Sequence, residues 1–314
     1  MKVLIVHAHH ESKSFCSALF RQAAQTLSDA GHEVSTLDLY NQQFDPASDR
    51  RNFKSVHDAD YLKQQTEERH ASQVVGFAPD LECEIQKLET CDLLVFSFPM
   101  WWFALPAILK GWVDRVFAMQ RVYGGGKFYE NGLGKARKRA MIIMTTGSGR
   151  DAFSGYGVNP SLDNILVPIE HGIFWFNGFV PLDPFVAFRP ARTTFGERAA
   201  HLKQLDERLR NLEHEKPRQL PRLSDFPGFG RDQKKRFMVT ATRTAPSDER
   251  YESLIPAEIK RVAELKRRGI ALSIYMGSSQ AEPWRGFPVF RESGAEQVRQ
   301  HLETLHWLRI STLT

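Results

Sequence analysis

Cysteine is scarce in this chain: Cys16, Cys83 and Cys91 are the three in 314 residues, and no two form a CxxC pair. An odd count without paired spacing argues against a disulfide framework and against a structural zinc site, and it points to a reducing compartment. Long apolar runs are missing too. No stretch approaches the roughly 18 residues that a membrane-crossing helix needs, so no span is expected. The opening run Val3–Val6 meets His7, His9, His10 and Glu11 before a secretory core is complete, and it reads as a first strand. GxGxxG and GxxxxGKS/T are both absent, which removes the Rossmann fingerprint and the P-loop. Internal repeats and low-complexity tracts are lacking as well. With 42% hydrophobic and 25% charged residues, the composition is that of an ordinary globular chain. A soluble, cytoplasmic protein is expected.

The length exceeds what one core usually needs, so two domains are expected. The net charge of +5 comes largely from clusters at Lys135–Arg139, Lys234–Arg236 and Lys266–Arg268. Without interleaved aromatics or a known motif these read as solvated faces, and no nucleic-acid partner is expected. A positive field still favours a cofactor that carries phosphates.

Over residues 1–215 strand and helix patterns alternate. Lys2–Ala8, Glu33–Leu39, Leu93–Phe98, Ala140–Thr145 and Phe179–Phe188 read as strands. Helices are predicted from Phe15 to a stop at Gly31, over Leu81–Cys91, and near 105–119, 161–175 and 195–213, with a short one near 57–70. This order predicts an α/β domain with a doubly wound, five-stranded parallel sheet covered on both faces. Residues 216–230, rich in proline and glycine, read as a linker. Residues 231–314 follow the order β-α-β-β-α-β, which predicts a small ferredoxin-like α+β domain.

In an open parallel sheet, ligands bind beyond the carboxyl ends of the strands. The first strand is followed by a polar segment, His9 to Cys16, that opens a helix and offers backbone N–H groups to phosphate. The third runs into Pro99-Met100-Trp101-Trp102-Phe103, where three consecutive aromatics suit a wall for a flat ring better than a packing cluster. The fourth ends in Thr145-Thr146-Gly147-Ser148, small residues that let donors approach a ligand closely. His7, His9 and His10 have no cysteine or carboxylate at ligand spacing, so no metal site is expected.

Together with Pro106–Trp112, these segments make residues 1–215 resemble the NAD(P)H:quinone oxidoreductases, the DT-diaphorase-like branch of the flavodoxin-like fold. The resemblance implies a bound flavin, FAD with FMN as the alternative, and NADPH or NADH as co-substrate. His9, Ser14, Phe15 and Cys16 would hold its phosphates, and Pro99, Met100, Trp101, Trp102, Phe103, Thr145, Thr146, Gly147 and Ser148 its ring. Trp102 and Phe103 would also bound the pocket shared by nicotinamide and a quinone-like substrate. Tyr123 and Phe128 would cover the acceptor from a neighbouring subunit, in a homodimer or higher homo-oligomer. The family's tyrosine and histidine after the Thr-Thr-Gly segment read here as Phe153 and Asn159. That leaves Tyr156 and Asn159 as catalytic candidates, although asparagine cannot become cationic. Cys16 stands where an asparagine is common.

A competing expectation makes the flavin domain a redox-sensing module that regulates a partner. The C-terminal part resembles the dimeric α/β-barrel domains of muconolactone isomerases. Oligomerisation is its simpler role, with a second active site using Tyr251, Trp284, His301 and His306 as the alternative.

Overall fold

Hydrophobic side chains alternate along the central strands in a way that requires cover on both sides of the sheet. In β1 (Lys2–His7), Leu4 and Val6 face one core while Val3 and Ile5 face the other. The computed structural model describes residues 1–135, 137–226, 235–242, 249–276, 285–292, 294–305 and 309–313. It divides into two compact units, Met1–Arg222 and Leu223–Thr314.

In the first unit, β1 is followed by α1 (Phe15–Asp29), β2 (Glu33–Asp38), α2 (Gln64–Val74), α3 (Pro79–Thr90) and β3 (Leu93–Pro99). Next come α4 (Ala107–Val116), β4 (Arg139–Thr146), α5 (Leu162–Ile169), β5 (Val180–Pro181), β6 (Phe185–Phe188) and α6 (Phe195–Arg210). The strands form a parallel sheet in the order β2-β1-β3-β4-β5, and β6 also pairs with β4. The chain reverses its direction of travel across the sheet between β1 and β3, which opens a crevice at their carboxyl ends.

Each helix buries the stripe that its spacing predicts. Leu19, Ala23 and Leu27 of α1 join Leu205 and Leu209 of α6 on the Val3 and Ile5 face. Leu81, Ile85 and Leu88 of α3 join Leu109 and Trp112 of α4 on the other. Helix α1 stops at Gly31, whose φ of 84° allows Gly31 and His32 N–H to donate to the carbonyls of Ser28 and Leu27 at 2.9 and 3.1 Å. Gly111 has a different reason to be glycine: a Cβ there would stand 2.3 Å from Pro46 Cβ.

Three boundaries differ from the sequence reading. The helix near 57–70 lies at Gln64–Val74. The helix expected over 161–175 ends at Ile169 and continues as a wide π-turn, Glu170–Phe174, then a 3-10 turn to Asn177. Pro168, with no N–H to donate, sits at that change of winding. The single strand expected over Phe179–Phe188 is broken at Leu182-Asp183-Pro184, so two short segments run along the β4 edge.

In the second unit, β7 (Lys235–Thr242), α7 (Glu249–Arg267), β8 (Ala271–Met276), β9 (Arg285–Glu292), α8 (Ala295–Glu303) and β10 (Arg309–Leu313) follow one another. The strands form an antiparallel sheet in the order β10-β7-β9-β8. Leu265 of α7 and Val298 and Leu302 of α8 pack with Val239 and Phe290 of the sheet. His301 sits 2.9 Å from Glu292. Trp284 and His306 lie outside the described residues, as does the side chain of Tyr251.

Candidate functional site

Because the strands of the first sheet run in parallel, the segments that leave their carboxyl ends meet on one edge. Backbone bonds hold them together there: Met100 N–H donates to Thr145 O at 2.9 Å, and Arg189 N–H to Thr146 O at 2.8 Å. Between them lies a cleft of about 680 Å³. His9, Ser14, Phe15 and Cys16 line it after β1, Pro99, Met100 and Trp101 at the end of β3, and Thr145, Thr146 and Gly147 at the end of β4. Beside Gly147 the space is open, since a Cβ there would meet nothing within 4 Å.

The first wall is a helix N-terminus. Ser14 caps α1 by accepting the N–H of Ser17 at 3.1 Å, and Glu11 O accepts the N–H of Ser14 at 3.1 Å. His9 Nδ1 accepts the N–H of Glu11 at 3.0 Å, which leaves Nε2–H as the donor of the neutral ring. Burial, and then the neighbouring His10, hold the His9 pKa below the usual imidazole value. Beneath this wall the polar groups form a buried chain. His7 Nε2 lies 3.0 Å from Ser17 Oγ, and His7 Nδ1 lies 3.0 Å from Ser97 Oγ. Burial pushes the Cys16 thiol up to about 12, against hydrogen bonds to Thr145 and Ser97. At neutral pH it is a neutral thiol.

Trp101 packs against His9 and His10, with ring centroids 5.9 and 5.3 Å apart. The next two aromatics do not line the cleft. Trp101 and Ala104 exchange backbone hydrogen bonds at 3.3 and 2.9 Å, so Trp102 and Phe103 form the tip of a two-residue reversal. Their φ values are 50° and 58°, the pattern of a type I′ turn, where Asn and Gly are the favoured residues. Trp102 is 96% exposed and Phe103 50%. Bulky side chains held in left-handed backbone point to a role outside the fold's own packing.

Tyr123 lines a second cavity, of about 470 Å³, with Glu68, Phe117 and Phe176. Phe128 packs on Phe176 with centroids 5.4 Å apart. Ser148, Tyr156 and Asn159 are not among the cleft's lining residues. Tyr156 is fully exposed, and the Asn159 N–H donates to Ala152 O at 2.9 Å. Among the described residues no cluster of histidine, cysteine or carboxylate side chains is suited to a metal, and no helix is long and apolar enough to cross a membrane.

Sequence reasoning missed the far wall. Arg189, Pro190, Ala191, Arg192 and Arg198 line the cleft after β6. The signal was available, because the carboxyl-end rule that selected the first, third and fourth strands applies equally to the last.

Comparison with known proteins agrees with this layout. Residues 1–211 match the flavodoxin-like fold family. A ribosyldihydronicotinamide dehydrogenase-like protein of Penicillium crustosum is 38% identical over 224 residues, 69% of this chain and 83% of its own. Human ribosyldihydronicotinamide dehydrogenase (quinone) is 35% identical over 217 residues, 69% of this chain and 94% of its own. NAD(P)H dehydrogenase (quinone) 1 of Rattus norvegicus is also 35% identical, over 69% of this chain and 79% of its own. Among solved structures, a Klebsiella pneumoniae protein assigned as a quinone reductase superposes with a TM-score of 0.65 at 35% identity, over 69% of this chain and 86% of its own. With the crevice, the strand order and the matched span in agreement, the chain is an oxidoreductase and belongs to the flavodoxin-like family of NAD(P)H:quinone oxidoreductases.

Proposed function

We propose that the chain is an NAD(P)H-dependent flavoprotein that reduces quinones or related aromatic acceptors by two-electron, ping-pong transfer. FAD is the proposed flavin, and FMN the alternative. The observation that carries this reading is the single cleft that gathers the ends of β1, β3, β4 and β6 beside a helix N-terminus. The residues present fit a flavin phosphate ester: three arginines line the cleft without a carboxylate, and the open space beside Gly147 admits a ring edge close to the backbone.

A bound flavin supplies the two-electron chemistry that the side chains lack, passing electrons from the nicotinamide to the acceptor. The protein binds and orients. The backbone N–H of Phe15, His9 Nε2–H and Arg198 would hold phosphate beside the capped N-terminus of α1. Pro99, Met100 and Trp101 flank the ring on one side, and Thr145, Thr146 and Gly147 on the other. The backbone N–H of Gly147 would be the main donor to negative charge at the ring edge, with Ser148, Tyr156 and Asn159, which do not line the cleft, secondary. Trp102 and Phe103 bound the pocket in which nicotinamide and quinone alternate, and Tyr123 and Phe128 of a second copy close it. The strain at Trp102 and Phe103 supports this, since the fold keeps two aromatics on an exposed tip at a cost. The strand order β10-β7-β9-β8 supports a ferredoxin-like reading of the second unit, whose role we take to be oligomerisation.

The test is the absorbance spectrum of the purified protein, identification of the extracted flavin, and NADH and NADPH turnover with menadione. Yellow protein with rapid turnover is expected. Colourless protein that takes up neither FAD nor FMN removes the reading; bound flavin with only trace turnover on every quinone favours a sensing module.

A further inference from the structure

Helix α2 turns a polar seam toward the chain that runs from α4 to Tyr123. Gln64, Glu68 and Ser72 stand four residues apart, one above another on the helix. Gln64 Nε2 donates to Glu68 Oε1 at 2.8 Å and to Asp114 O at 3.2 Å. Glu68 Oε2 accepts the N–H of Met119 at 2.7 Å, and the Ser72 hydroxyl reaches Met119 O at 3.2 Å. Both backbone polar groups of Met119 are thus held by α2.

Tyr123 is tied to the same point. Gln120, in left-handed backbone at φ 72°, donates its N–H to Tyr123 O at 2.7 Å, which folds the chain back so that Tyr123 pairs with Met119. The Gln65 amide donates to the phenol oxygen at 3.4 Å, and the phenol hydroxyl donates to the Glu68 carboxylate. Glu68 and Tyr123 line the cavity of about 470 Å³ together with Phe176, whose ring centroid lies 6.4 Å from that of Tyr123.

The carboxylate is costly where it stands. Glu68 is 2% exposed, and the donors it meets are uncharged: a peptide N–H, an amide and a phenol. Burial holds its pKa above the usual carboxylate value against those three bonds. Asp114, the other carboxylate on the cavity, is paired with Lys110 at 2.5 Å. An amide at position 68 would fill the same space without burying a charge, so stability alone does not account for a glutamate. Its charge bears instead on Tyr123, whose pKa is raised first by burial and then by Glu68.

We propose that Glu68 is the positioning residue for Tyr123: from α2 it fixes the turn that carries the ring and the direction of the phenol hydroxyl, and so sets the affinity for the acceptor. This rests on the reading above, in which Tyr123 closes the acceptor pocket of a second copy. It gives a part in the reaction to α2, none of whose residues lines the cleft.

The experiment uses the full-length holoprotein and the variants Glu68→Gln, Glu68→Ala, Tyr123→Ala and Glu68→Ala/Tyr123→Ala. Tyrosinate absorbance followed with rising pH should show, among the seven tyrosines, one that ionises later than an ordinary phenol. That signal should be missing in Tyr123→Ala and should move to lower pH in Glu68→Gln, which keeps the shape and removes the charge. With NADPH and menadione, Glu68→Ala should raise the acceptor KM about fivefold and change kcat by less than about twofold. Glu68→Gln, which can still accept the Met119 N–H, should recover most of that loss. On the Tyr123→Ala background, Glu68→Ala should add nothing further to KM. A late tyrosine that does not move in Glu68→Gln, or KM effects that add in the double variant, overturns the inference. If Glu68→Ala does not fold, the Glu68→Gln titration decides. A wild type that binds no flavin, or turns over no quinone, overturns the flavin reading and this inference with it. The titration needs no flavin, so it tells that failure apart from a missing contact between Glu68 and Tyr123.

Discussion

His7 lies flat against Phe20, with ring centroids 4.4 Å apart and 3° between the planes. Both nitrogens of this fully buried imidazole face serine hydroxyls, those of Ser17 and Ser97. Burial is the largest influence on it and lowers its pKa from 6.5 to about 4; Asp38 opposes the shift, while His9 and Arg21 add to it.

The sign of the resulting pH dependence follows. Between pH 6.5 and about 4 the unfolded chain takes a proton at this position and the folded chain does not, so stability is lost as the pH falls. The loss is roughly 3 kcal/mol and levels off below the folded value. Urea unfolding of the wild type and of His7→Gln at pH 7, 5.5 and 4, values chosen to span roughly this window, should show the variant with the shallower decline. Parallel declines would assign the acid sensitivity to other groups.

Trp102 and Phe103 occupy a turn that suits Asn and Gly. Trp102→Asn with Phe103→Gly should raise the unfolding free energy by about 1–2 kcal/mol, by relieving left-handed backbone strain. Quinone turnover should fall at least about fivefold as two stacking surfaces are lost. Trp102→Ala alone should slow both flavin reduction and reoxidation. If rapid-reaction traces show the two half-reactions unchanged, the shared pocket is misplaced.

Asn159 is held by its backbone N–H to Ala152 O and does not line the cleft. Asn159→Ala should therefore slow flavin reduction by less than about threefold, well below the 10²–10³-fold expected for the loss of a direct donor to a developing anion. A drop beyond about tenfold with flavin fully bound would give the asparagine the role denied to it here.

The three thiols differ in access. Cys83 is exposed, whereas Cys16 and Cys91 are buried, and burial pushes both of their pKa values up to about 12. A thiol-specific disulfide reagent at pH 8 should label one cysteine per native chain quickly and the other two only after denaturation. Fast labelling at Cys16 would mean that the floor of the cleft opens.

How much of this was legible in the sequence depended on locality. Strand-length apolar runs such as Leu93–Phe98 and the stop at Gly31 are set by period and backbone chemistry, and both can be read directly. The break at Leu182-Asp183-Pro184 is less direct, because Val180 and Phe185 each look like strand and the interruption depends on pairing with β4. The segments after β1, β3 and β4 carry unusual composition that marks them in the sequence, and the fold brings residues of all three to one cleft. Arg189 and Arg192 read as two more cations in a basic chain, and only the fold brings them to the same cleft as Ser14. The orientation of Trp102 and Phe103 was beyond composition as well: three consecutive aromatics imply a wall, while the turn that puts only Trp101 on the cleft is set by the Trp101–Ala104 pairing.

Strand β3 is buried at every one of its seven positions and is hydrogen-bonded to β1 on one side and β4 on the other. Its amide protons can meet solvent only when the whole sheet separates, so they should be the slowest to exchange for deuterium and should report the global unfolding free energy. Pro99, at its end, stands on the cleft. Local opening therefore has to spare this side of the cleft, and a ligand lost that way is expected to leave past the wall after β6, which holds Arg189 and Arg192, rather than past Pro99.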